Sequence, residues 1–354
     1  MAKVPATDAK LTYFGRWQTK GVKKLGNWNR PYVKFNFTGT TLMARFDGPV
    51  SVDVNIDGEE FVLAQQDGLV TIKSGLSEGT HSASITIRTA DGTTGIESFF
   101  VDKGASVSEY VADSDVKHIQ FIGDSITTDG RSYSYTIPKQ YGHDYSIISM
   151  SSIALQDGSG WYNSSQIDRA CLVGMESAYF DVKSPKDNCY YQIDGKTYGY
   201  SNPAATDWAD NKPDVIVINL GTNDNYWINS GTAGIDAANF KQSYIEFVTK
   251  LANAFTDADI YILRTFNNLD SKYVSDFTLM RNATYEACTQ LQTTFGQRIK
   301  WVDTSSWDIE INAETVDTTG MTETEIKALD WTHPSATGYA DLRDLVYNAI
   351  STSL

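Results

Sequence analysis

The stretch FIGDSITTDG, residues 121–130, decides how this chain is read. With the residues before it, it completes VKHIQFIG, a short apolar run ending in glycine, which is how a buried parallel strand passes into a loop. A serine just beyond such a strand, here Ser125, stands at the carboxyl edge of a sheet, where open α/β folds keep their sites. The tripeptide Gly123-Asp124-Ser125 says little alone, because average composition yields it in roughly one chain in ten of this size. Its meaning depends on partners.

Two further strand ends supply them. DVIVINL (214–220) runs into Gly221-Thr222-Asn223-Asp224, and DWTHP (330–334) sets Asp330 three residues before His333, with Pro334 at a helix start. Ser, Asn and an Asp/His pair are the types that acyl transfer needs. A serine hydroxyl is a weak nucleophile and requires a base within hydrogen-bond reach. An imidazole suits that role, and a carboxylate fixes its tautomer. The developing oxyanion needs preorganised donors, which an Asn amide and backbone N–H groups provide. His81 lies among the N-terminal strands, His118 at a strand entry and His143 in a turn, which leaves His333 as the base. Asp124 and Asp224 read as braces of their own loops. Asp330 can also cap the helix that follows.

The 354-residue chain has room for two domains and carries a net charge of −15. That charge argues against nucleic acid or an anionic membrane as partner and fits a neutral substrate. Apolar runs are strand-length, far short of a membrane span. MAKVPATDAK lacks the apolar segment of a signal peptide, and a secreted or cell-surface protein whose signal was removed is expected over a cytoplasmic one. Four histidines and three cysteines form no Cys/His cluster, so neither a metal nor a cofactor is expected. Cys171 and Cys189 read as free thiols more readily than as a disulfide.

The chain changes character near residue 112. Before it, YVKFNFTG, VSVDVNIDG, HSASITIRTADG and similar segments alternate with period two between Gly and Asp-Gly turns, predicting a domain over 1–111 built as an all-β jelly-roll or sandwich. SVSEYVADSDVK (106–117) reads as a linker. From 112 to 354, strands HIQFIG, YSIISM, DVIVINLG, DIYILRTF and RIKWVDTS alternate with helical patterns, implying a parallel sheet with crossover helices.

Taken together, Gly123-Asp124-Ser125, Gly221-Thr222-Asn223-Asp224 and Asp330-x-x-His333 resemble the first, third and fifth blocks of the SGNH (GDSL-type) hydrolases. YFGRW near residue 14, VNIDGEE and GLSEGTHSASI are similar to the N-terminal β domain of carbohydrate esterase family 2, whose members remove O-acetyl groups from plant polysaccharides. The resemblance implies a three-layer α/β/α SGNH domain behind the β-sandwich, acting as an acetyl xylan esterase-like polysaccharide deacetylase. It implies Ser125 as nucleophile, His333 as base, Asp330 as its orienter and Asn223 as an oxyanion donor beside the Ser125 N–H. The second block of that family is a glycine whose N–H joins the oxyanion hole, and here Ser152 occupies the slot, with Gly158 and Gly160 as alternatives. Trp331 and Trp227, next to these loops, are expected to line the acyl or sugar site. The long, aromatic-rich segment 156–212 reads mainly as packing. The resemblance implies an acetylated carbohydrate as partner, and the oligomeric state is not legible. Other readings are an SGNH lipase or thioesterase and, from a different class, a carbohydrate-binding protein with a vestigial esterase site.

Overall fold

Among the described residues the N-terminal part forms eight strands: β1 (Ala2–Pro5), β2 (Thr12–Lys20), β3 (Lys23–Thr38), β4 (Thr41–Ile56), β5 (Glu59–Ser74), β6 (Thr80–Ile87), β7 (Gly95–Val101) and β8 (Val107–Ser108), of which β3 to β7 cover the alternating segments while β1, β2 and β8 lie outside them. The computed structural model describes residues 1–90, 92–159, 173–180, 192–193, 196–197, 212–231, 234–266 and 276–354. β3 pairs with β7 at Lys24 and Leu25 and with β6 from Tyr32 to Thr38. Similarly, β4 pairs with β7 over its first half and with β6 over its second. Each long strand therefore changes neighbour along its length, and the antiparallel sheet folds over on itself around Phe35, Val54, Ile85 and Phe99. Positive φ angles at Trp28 (62°), Arg30 (50°) and Gly48 (85°) lie where these strands change neighbour. The expected linker is partly ordered into this sheet, because β8 pairs with β3 through Asn36↔Ser108 and Phe37↔Val107.

The remainder alternates strands and helices. β9 (His118–Gly123), β10 (Asp144–Ser149), β13 (Val215–Asn219), β14 (Asp259–Leu263) and β15 (Ile299–Val302) form one parallel sheet in the order β10-β9-β13-β14-β15. A short hairpin, β11 (Gln192–Ile193) with β12 (Lys196–Thr197), precedes β13. Every residue of β9, β10 and β13 is buried, as expected of parallel strands covered on both faces. Ile216 and Ile218 share a core with α5 (Ala237–Ala254) and α6 (Thr278–Phe295). Val215 and Val217 share another with α2 (Tyr133–Tyr141) and α8 (Ala336–Ile350). The other helices are short: α1 (Ser125–Thr128), α3 (Met175–Ala178), α4 (Asp224–Asn229) and α7 (Glu323–Lys327).

The strand order places the chain's reversal at β9 and β13, the topological switch point at which such sheets open a crevice beyond their carboxyl ends. The two parts of the molecule meet along β10. Ile147 bridges to Asn29 of β3, and Trp28 lies in the same core as Ile122, Ile148 and Ile153. Tyr32 stacks on Phe14 at 4.7 Å and on Tyr145 at 4.5 Å.

Candidate active site

The loop after β9 is sterically determined. A Cβ at Gly123 would lie 2.0 Å from Thr127 Oγ1 and 2.9 Å from the Asn219 carbonyl oxygen, so only glycine lets the strand turn into α1 against its neighbour. Asp124 caps that turn, its Oδ1 accepting from the Ile126 N–H at 3.0 Å. Asp124 is fully buried, and desolvation pushes its carboxyl up to about 6. Ser125, next to it, is half-buried.

The hydroxyl of Ser125 meets His333. His333 Nε2 stands 2.8 Å from Ser125 Oγ, while His333 Nδ1 lies 3.0 and 3.1 Å from the two oxygens of Asp330. An Nδ1–H donated to the carboxylate leaves Nε2 to accept from the serine hydroxyl. Asp330 also accepts from the Thr332 and His333 N–H groups, each at 3.1 Å, so this carboxylate shapes the loop that carries the imidazole. Its hydrogen bond, ahead of burial acting the other way, raises the His333 pKa above the ordinary 6.5. The reciprocal bonds hold the Asp330 carboxyl far below its ordinary value against the cost of burial.

A residue invisible to the motif reading completes this arrangement. Asn312 Nδ2 donates to Asp330 Oδ2 at 3.0 Å, and the backbone N–H groups of Asn312 and Ala313 donate to the carbonyls of His333 and Asp330. No motif links Asn312 to Asp330, 18 positions later; the Ile311↔Pro334 bridge and the backbone hydrogen bonds around it bring them together.

Asn223 and Ser152 arrive from the loops after β13 and β10. Gly221, at φ +120°, lets the first of these pass Met280, whose Sδ would be 2.6 Å from an added Cβ. The side chain of Asn223 does not cap α4; its amide donates to the Ile153 carbonyl at 2.8 Å. Ile153 follows Ser152 in a tight turn, Met150–Ile153, closed by the Ile153 N–H on the Met150 carbonyl at 3.4 Å. Ser152 has φ +68°, a left-handed conformation that favours glycine. The two loops are sewn together by Asp224, which accepts from the N–H groups of Leu155 at 2.9 Å and Gln156 at 3.0 Å and from the Ser159 hydroxyl at 3.3 Å. Asp224 is buried, and desolvation raises it to about 6. Gly158 belongs to the turn containing Ser159, and Gly160 lies outside the described residues.

The two tryptophans take different positions. Trp331 is half-buried, its indole N–H donating to the Ile326 carbonyl at 2.8 Å. Trp227 packs against the core around α5 and α6, and the aromatic presented to solvent on α4 is its neighbour Tyr226, 52% exposed. In the 156–212 segment, Tyr179 is buried and Phe180 packs on the same core, whereas Trp161, Tyr190, Tyr191, Tyr198, Tyr200 and Trp208 lie outside the described residues. Cys288 is buried and free; Cys171 and Cys189 are outside the described residues.

A family model described as GDSL-like Lipase/Acylhydrolase matches residues 119–346, which contain every residue of this arrangement. The chain belongs to that family. This GDSL-family hydrolase also matches the Carbohydrate esterase 2 N-terminal model over residues 13–110. Its fold is shared with a family two carbohydrate esterase from Clostridium thermocellum in complex with cellohexaose, at 18% identity over 97% of this chain and 98% of that one, TM-score 0.62. A family two carbohydrate esterase from Cellvibrio japonicus aligns at 14% identity over 99% and 97% of the two chains, TM-score 0.66. An acetyl xylan esterase from the rumen bacterium Butyrivibrio proteoclasticus aligns at 14% over 99% and 98%, TM-score 0.67. No match was found among curated proteins. An N-terminal β region followed by a GDSL α/β region is thus the arrangement this hydrolase has in common with carbohydrate esterases.

Proposed function

We propose that this GDSL-family hydrolase is a serine esterase that removes O-acetyl groups from a neutral plant polysaccharide or oligosaccharide such as xylan or glucomannan, through an acyl-enzyme. The observation that carries the reading is the 2.8 Å approach of His333 Nε2 to Ser125 Oγ. Ser125 Oγ attacks the acetyl carbonyl carbon and gives its proton to His333 Nε2. The oxyanion is held by the second amide hydrogen of Asn223 and by the N–H groups of Ser125 and Ser152. Collapse breaks the ester bond, and the leaving sugar oxygen takes the proton from His333. Water then attacks the acetyl-serine, giving up its proton through the same imidazole, and acetate leaves as Ser125 regains its hydrogen. Trp331 is proposed to offer the sugar a flat face, with Trp227, packed on the core, contributing only an edge. The domains assigned are 1–111 and 112–354.

The test is release of acetate from acetylated xylan, glucomannan and cellulose, with p-nitrophenyl acetate as a small control ester. Ser125→Ala should reduce turnover of every ester by on the order of 10⁴ or more while melting like the parent. Residual turnover near the parent's would remove Ser125 as nucleophile. Hydrolysis of long-chain esters in preference to acetylated glycans would favour a lipase. Glycan binding without turnover of any ester would favour a binding protein.

A further inference from the structure

We propose that a cleft at the opposite end of the parallel sheet from Ser125 is a second, non-catalytic binding site for a neutral oligosaccharide. The cleft encloses 540 Å³ between the outer face of the N-terminal sheet and the end of α2 with the start of β10. Gly142, His143 and Tyr145 form part of its wall, at the amino end of a strand whose carboxyl end leads to Ser152.

The floor follows from the alternation of the strands. Ser84 of β6 lies opposite Lys34 of β3 and Asn55 of β4, and Asp53 lies opposite Thr86 and Val62. Residues directly opposite one another share a face, so these six side chains point away from the core that Phe35, Val54 and Ala83 form behind them. Short hydroxyl and amide side chains leave depth over the middle of the floor. Val62, at the edge, is 51% exposed and adds an apolar patch.

Charge balance determines the class of ligand. Lys34 pairs with Asp144, Arg30 with Asp53 at 2.9 Å, and Lys139 with Glu60 at 2.6 Å across the cleft mouth. Each cation is matched, so neither an anion nor a cation is drawn in by a net field. What the cleft offers is an array of neutral donors and acceptors between two fixed rings. Tyr135 lies 4.3 Å from the Arg30 guanidinium and donates to Asp53 at 3.2 Å, while Tyr110 lies 4.3 Å from the Lys34 ammonium and accepts from it at 3.2 Å. Such rings lose little freedom when a ligand packs on them. A molecule with many hydroxyl groups and flat C–H faces fits that chemistry.

The test uses glycans without ester groups, xylohexaose and cellohexaose by calorimetric titration and unacetylated xylan and glucomannan by affinity electrophoresis, so that catalysis is silent. Ser84→Arg fills the floor; Val62→Arg, at an exposed position that tolerates change, blocks its edge. Each variant should weaken binding on the order of tenfold while melting like the parent, and binding should persist in Trp331→Ala. Binding unmoved by both arginine variants, binding abolished by Trp331→Ala, or no binding of any of these glycans would overturn the proposal. Hydrolysis of p-nitrophenyl acetate reports on the esterase reading separately, so the two fail independently.

Discussion

The two halves of the candidate site are built in opposite ways. Ser125, Asn223 and Ser152 stand on loops braced from beneath by carboxylates that are wholly buried, Asp124 and Asp224. The Asp330–His333 loop is a surface structure, with more than a third of each side chain exposed, held by backbone hydrogen bonds and by Asn312. The loops of the proposed oxyanion donors are thus anchored in the core, whereas the proposed proton-transfer pair stays in contact with water. Position is bought with buried charge on one side, and pKa is set by local partners on the other.

The strongest way to break this contrast is Asn223→Ala. Loss of one preorganised oxyanion donor should lower kcat on the order of 10²–10³ with little change in KM, measured on p-nitrophenyl acetate and on an acetylated glycan. A change confined to KM would move Asn223 from the transition state to ground-state binding.

Asp330→Asn probes the exposed half and should cost less, on the order of 10–10² in kcat. It has a second signature. The Asp330 carboxylate is the chief cause of the raised His333 pKa, and the imidazole works as a base only when deprotonated. Activity of the parent should therefore rise with pH to a midpoint above 6.5, and the Asn variant should shift that midpoint to lower pH. An unmoved midpoint would mean that Asp330 does not govern the base. Asn312→Ala, acting through Asp330, should produce a smaller loss in kcat while KM for p-nitrophenyl acetate holds.

Asp224→Asn probes the brace itself. An amide cannot accept from two backbone N–H groups and a hydroxyl as a carboxylate does, so the fold should lose about 1–3 kcal/mol, read from chemical denaturation at pH 7. There is also a pH term. The folded pKa of about 6 exceeds the ordinary 3.8, so the stabilising contribution is fully present below 3.8 and is lost as pH rises through 6. Asp124 adds a term of the same sign. Removing Asp224 should flatten the dependence of stability on pH between about 4 and 7, and an unchanged slope would remove the carboxylate from this account.

The smallest effect is expected at Ser152, where a non-glycine residue holds φ +68°. Ser152→Gly relieves strain but gives the unfolded chain more freedom, so the net gain should be roughly 0.5–1 kcal/mol, with turnover retained because the backbone N–H remains. Loss of turnover would show that the Ser152 side chain, and not its N–H, is what the site uses.

How much of this was legible in the sequence follows from the range over which each feature is determined. Ser125, Asn223 and the Asp330/His333 pair sit directly after buried strands or before a helix, where residue type and local spacing are enough to mark them. The parallel strands read clearly because each holds a short run rich in apolar residues between helical patterns, as in VIVI of β13 and IYIL of β14. Asn312 escaped because its partner is set by a bridge between loops and not by spacing. β8, two residues long, is too short to show alternation inside an apparent linker. Which of Tyr226 and Trp227 faces solvent depends on the phase of α4, and that phase is settled only by Asp224, Asn225 and Ile228 turning inward together. The left-handed conformation of Trp28 has no signal in the residue type, since the position favours glycine and does not hold it, and at Ser152 the only pointer is the glycine slot of the family the chain resembles.

Trp28 has a consequence for how the molecule unfolds. It belongs to the first 111 residues, yet its indole fills space in the core that holds Ile122, Ile148 and Ile153. Emptying a core of a tryptophan costs about 3–5 kcal/mol, a large share of the roughly 5–15 kcal/mol that separates folded from unfolded chains. Residues 112–354 expressed alone would start from that deficit. The seam near residue 112 should therefore divide the sequence but not the folding transition: the two parts are expected to melt as a single cooperative unit, the hydrolytic loops borrowing their thermal endurance from a strand that contributes none of their chemistry.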